Sequence, residues 1–97
     1  MINMKTIDKA IEVTTANEKF DTKRLAIEIR QKINEENEAI NSYLSLAPHI
    51  SDVEIRTKIQ DIANEEKIHV GELQEILYNL DPDELQKEIQ GREEANS

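Results

Sequence analysis

Residues 55–80 read IRTKIQDIANEEKIHVGELQEILYNL. Ile55, Ile59, Ile62, Leu73, Ile76 and Leu80 recur at alternating steps of four and three, and positions 66 and 69 complete the series. That period is the a/d seam of a long α-helix packed lengthwise on other helices. The two positions that interrupt the aliphatic run carry Glu66 and His69, one turn apart on one face. The seam predicts the helix, and its interruption predicts the chemistry.

Upstream, Ser51 followed by Glu54 has the pattern of a capping box, in which each side chain satisfies a free backbone N–H of the first turn. An earlier helix starts at Asp21 or Thr22, runs through LAIEIRQKINEENEAINSYLSLA and is stopped by Pro48. Its apolar positions are Leu25, Ile29, Ile33, Ile40, Tyr43 or Leu44, and Ala47. The same series demands an apolar residue at position 36, where Glu36 stands. The turn over residues 48–51 is short enough to force the two helices antiparallel. Downstream, Asp81, Pro82 and Glu84 end the second helix and open a short third one through another capping box. The expected organisation is a loose arm or short helix over residues 1–20, a helical hairpin with a short C-terminal helix over 21–90, and a disordered tail over 91–97.

Composition agrees with an all-α class. Among 97 residues there are two glycines, two prolines, one phenylalanine and no tryptophan, too little material for a turn-rich β fold. A chain of this size buries too little surface alone and is expected to pair with another copy. The formal charge of −9 argues against nucleic acid and anionic membranes as partners and suits cation traffic. With no cysteine, any bound metal must be held by oxygen and imidazole. No apolar run approaches the roughly 20 residues of a membrane span, and the N-terminus lacks the order of a signal peptide, so the expected location is cytoplasmic.

Folding the hairpin about its turn brings Glu36 level with Glu66, so three polar residues share one layer of an otherwise apolar seam. With 15 glutamates in the chain, a Glu three residues before a His is common and is weak on its own, being usually a solvated surface pair. Surface pairs have no reason to interrupt both apolar stripes at one height, and buried carboxylates need compensation that a cation supplies. One hairpin offers two Glu and one His. A di-iron carboxylate bundle takes one Glu from each of two helices and a Glu-x-x-His from each of the other two. Two copies about a two-fold axis supply that set, so the expected architecture is a ferritin-like four-helix bundle formed by dimerisation. Carboxylate and imidazole ligands accept both Fe(II) and Fe(III), although zinc or manganese could occupy the same ligands.

EENEAINSY at residues 35–43 and DIANEEKIHVGEL at 61–73 resemble the encapsulated ferritins, the ferritin-like proteins housed in encapsulin nanocompartments. The resemblance extends over about residues 25–85, including the LDPDE segment. It implies a ferroxidase that oxidises Fe(II) with O₂ at a two-iron centre built from Glu36, Glu66 and His69 across a homodimer interface, with Tyr43 beside it. It implies an outer site, through which metal reaches the centre, at Glu35 and Glu38; for these two and Glu65 a solvated acidic face is the competing reading. Ser42 stands where some members carry a tryptophan near that outer site. The family resembles annular decamers, pentamers of dimers, in its assembly, and the encapsulin shell supplies the storage cage. GREEANS, residues 91–97, does not resemble the usual C-terminal targeting peptide, which fits a chain truncated from a shell fusion.

Two other functions fit the same residues. One is reduction of H₂O₂ at the same metal pair, resembling rubrerythrins, although those usually add a cysteine-ligated iron domain. The other is a non-enzymatic helical interaction module, in which the polar layer only fixes register. His49, beside Pro48, reads as a solvated turn residue, and Tyr43 and Tyr78 otherwise read as packing residues on the seam's flank.

Overall fold

The computed structural model describes residues 19–97, so the expected N-terminal arm falls outside the described residues except for its last two. Helix α1 spans Thr22–Leu46, a single 3₁₀ turn covers Ala47–His49, helix α2 spans Val53–Leu80 and helix α3 spans Pro82–Ala95. The described residues contain no strand, as the composition predicts. Asp21 caps α1 by accepting from the Arg24 N–H at 2.8 Å. Pro48 lies inside the 3₁₀ turn, and α1 and α2 run back antiparallel from it.

Both expected capping boxes are corrected. Asp52, not Ser51, caps α2, its carboxylate accepting from the Ile55 N–H at 3.0 Å. At the start of α3 the Asp81 side chain makes no cap bond. Asp81 and Glu84 instead both bind Arg30 of α1, at 2.8 Å and 3.1 Å, because a bidentate guanidinium is a stronger partner than a backbone N–H. The third helix is also longer than expected. It continues through Gly91 to Ala95, so residues 91–95 extend a helix where a disordered tail was expected.

The hairpin core consists of Ala26, Ile33 and Leu77, with Ile29, Val70, Leu73 and Leu80 against it. Ile40, Ala47 and Ala63 continue the buried strip towards the turn. On α1 the buried residues Ala26, Ile33 and Ile40 recur every seventh position, and Ala47 at the start of the 3₁₀ turn continues the series.

On α2 the predicted single seam separates into two rows. Ile59, Glu66, Leu73 and Leu80 are half-buried in the hairpin, beside the buried Ala63 and Leu77 that the seam left out. Ile55, Ile62, His69 and Ile76 form the other row and face outward, with the three isoleucines 53%, 37% and 45% exposed. The small Ala63 lets α1 approach and rotates the inner face by part of a turn, which turns the outer row away from α1.

The fold measures 49 × 43 × 14 Å, little more than one helix thick. It exposes 7865 Å² of surface, where a compact monomer of this mass exposes about 5,700 Å². A single layer has nothing on which to bury its second face. No helix among the described residues is long and apolar enough to cross a membrane.

Candidate metal centre

Glu36 lies midway along α1, between the buried Ile33 and Ile40. Glu66 and His69 lie on α2, between Ala63 and Leu77. Antiparallel packing sets the three at one level, as the hairpin reading of the sequence expects. Their ligand atoms all fall within 4.8 Å of one another. Among the described residues this is the one such group of three acidic or imidazole ligands.

His69 Nδ1 stands 3.4 Å from Glu66 Oε2 and 3.8 Å from Glu36 Oε2. Both separations are long for a hydrogen bond. They suit two donors on one ion with bonds of about 2.0–2.2 Å, which hold ligand atoms at most about 4.4 Å apart.

Glu36 and Glu66 are mostly enclosed, with side chains 29% and 21% exposed, whereas His69 is 52% exposed. Glu66 belongs to the inner row and His69 to the outer row, so the group straddles the edge of the hairpin. Glu36 Oε2 is fully buried and has no hydrogen-bond partner among the described residues. A carboxylate oxygen held this way costs about 1–3 kcal/mol unless something satisfies it. Among the described residues neither Glu36 nor Glu66 has a Lys or Arg partner, and the nearby Lys32 pairs with Glu35 at 3.2 Å. Two carboxylates and an imidazole converging without a cation make a donor set that fits a divalent ion of the Fe(II), Mn(II) or Zn(II) type.

The remaining sequence-predicted residues stand apart from this group. Glu35 and Glu38 are exposed on α1, and Glu35 is engaged by Lys32. Tyr43 is half-buried, nearly two turns from Glu36, and donates no hydrogen bond to the three ligands among the described residues. His49 is exposed in the turn. Tyr78 is not only a packing residue: its hydroxyl donates to Glu88 of α3. That bond to a carboxylate holds the phenol above its ordinary titration range, helped by burial and the Glu88 charge. Neither this bond nor the Arg30 pairs could be read from spacing, because they join residues 10, 51 and 54 positions apart.

A rubrerythrin family profile matches residues 2–91. The chain is also similar to a ferritin-like-encapsulin shell fusion protein of Pyrococcus furiosus, 42% identical over 75 residues, which cover 76% of this chain and 22% of that protein. This chain thus corresponds to less than a quarter of that relative's length. No solved structure matches. With nearly its whole length under the family profile and its helical hairpin carrying a Glu, Glu and His group at one level, the chain belongs to the rubrerythrin family, in the ferritin-like superfamily.

Proposed function

We propose that this chain is a ferroxidase that pairs with a second copy and oxidises Fe(II) with O₂ at the interface between them. The observation that carries this reading is the buried, unpartnered Glu36 Oε2 facing Glu66 and His69. One hairpin offers three protein ligands, and a di-iron bundle needs twice that number. The group straddles the hairpin's edge, with His69 in the exposed row of Ile55, Ile62 and Ile76, so a two-fold partner seated on that row completes the ligand set.

In this reading Glu36, Glu66 and His69 of both copies would hold the Fe(II) ions, each Glu66 and His69 pair serving one. Two Fe(II) substrates each give up one electron, and O₂ takes both with two protons to leave as H₂O₂. The protein's part is to hold the ions close together and exclude water from the carboxylates through the apolar row. Glu35 and Glu38, exposed on the same helix, serve as the outer site that delivers cations, and the net charge of −9 favours their approach. The fusion of the Pyrococcus relative to an encapsulin shell supports a place for this chain inside such a compartment, where Fe(III) is stored. A decamer built from five dimers is the assembly proposed with it.

The test is stopped-flow oxidation of added Fe(II) by Glu36→Ala, Glu66→Ala and His69→Ala, each expected to lose the fast phase. Unchanged rates in all three refute the assignment. The family match favours a second reading, in which H₂O₂ is the preferred oxidant at the same ligands. Anaerobic Fe(II) protein mixed separately with O₂ and with H₂O₂ distinguishes the two by which oxidant reacts faster. Failure to bind Fe(II) at all returns the chain to the interaction-module class.

A further inference from the structure

Helix α3 is 14 residues long and contains no buried residue. Its backbone packs near α2 and does not approach α1. The joint between α2 and α3 is a single residue, Asp81, with φ −140° and ψ 81°. Open clefts of about 200 and 500 Å³ lie in the angle between hairpin and α3, lined by Asn34, Gln74, Glu88 and Arg92 among others. On α3, Gly91 borders this space, and a side chain built there would meet nothing within 4 Å. Its apolar residues Leu85 and Ile89 are only half-buried, so apolar packing holds this helix more weakly than it holds the hairpin.

Polar contacts add to it. The Arg30 guanidinium binds Asp81 Oδ2 at 2.8 Å and forks onto both oxygens of Glu84, at 3.3 Å and 3.1 Å. It thus grips the joint residue and the first turn of α3 together. Among the described residues no other α1 side chain forms a hydrogen bond or ion pair with α3. One turn further on, the Tyr78 hydroxyl holds Glu88.

We propose that α3 is a hinged arm pivoting at Asp81, and that Arg30 is the positioning residue that locks its angle. The lock is electrostatic and half-exposed, so ionic strength releases it while the hairpin stays folded. Exposed pairs of this kind each shift a two-state equilibrium by about 1.5-fold to fivefold, so losing both raises the open population by about twofold to 25-fold.

The chain contains no cysteine, so two introduced cysteines can be spin-labelled cleanly. One pair, Gln31→Cys with Glu93→Cys, reads α1 to α3, and a control pair, Gln31→Cys with Thr57→Cys, reads the hairpin. Labelled chain is diluted with unlabelled chain so that only distances within one molecule are measured. In low salt the α1–α3 distance is expected to be single and narrow. Arg30→Met, or about 1 M salt, where the Debye length falls to about 3 Å, is expected to broaden it with the control distance unchanged. In Arg30→Met, salt should add nothing further. Should Arg30→Met loosen the hairpin as well, the swap Arg30→Glu, Asp81→Asn, Glu84→Arg decides: a restored narrow distance supports the lock, and a broad one overturns it. A narrow α1–α3 distance in Arg30→Met, or equal salt broadening with and without Arg30, overturns the proposal directly.

Discussion

Replacing Glu36 by leucine should make the metal-free protein more stable while removing its response to metal. Glu36 sits between Ile33 and Ile40 on a buried strip, and its Oε2 has no partner among the described residues. Satisfying or removing such an atom recovers about 1–3 kcal/mol. Because the side chain keeps 29% of its surface, the low end applies, about 1 kcal/mol. Glutamate and leucine have similar helix propensity, so the backbone adds little. For a chain of this length the gain corresponds to roughly 4–8 °C in Tm. Metal reverses the order. At about 100 times its Kd, an ion bound only by the folded wild type adds about 2.7 kcal/mol, which Glu36→Leu cannot collect. The assay is thermal unfolding by circular dichroism, once in chelator and once with Co(II). The two melting curves should exchange order between these conditions. A variant that melts below wild type in chelator, or one that metal stabilises as much as wild type, refutes the reasoning that ties the orphan oxygen to an ion.

Three further outcomes follow from the packing. Ile62→Glu places a charge in the exposed row beside His69 and should abolish dimer formation and fast Fe(II) oxidation while leaving helix content intact, as read by light scattering and circular dichroism. Leu77→Ala empties a site that is 2% exposed and should cost about 2–4 kcal/mol in urea unfolding. Tyr78→Phe should cost about 1 kcal/mol at neutral pH through the lost bond to Glu88. Because the folded phenol titrates above its ordinary 10.0, the wild type holds this contribution below that pH and loses it as pH rises through the raised value. The variant should lack that alkaline step when unfolding is followed against pH.

The sequence by itself determined the helices, their antiparallel order and the level of Glu36, Glu66 and His69, because each follows from local periodicity and a short turn. Heptad spacing cannot say which of two adjacent rows faces inward, since Ile55 and Ile59 are equally apolar. Only the tertiary structure decided that Ala63 and Leu77 line the hairpin while Ile55, Ile62 and Ile76 are left outside, because helix rotation depends on the volume of the facing residues. For the same reason the centre's character changed. A layer expected within a continuous seam lies at an open edge, with His69 turned outward. Capping was legible at Asp21 but not at Asp81, where a guanidinium 51 residues away in the chain outcompetes the local backbone. The length of α3 was hidden because Gly91 reads as a stop in isolation, yet with helical neighbours on both sides it continues the helix.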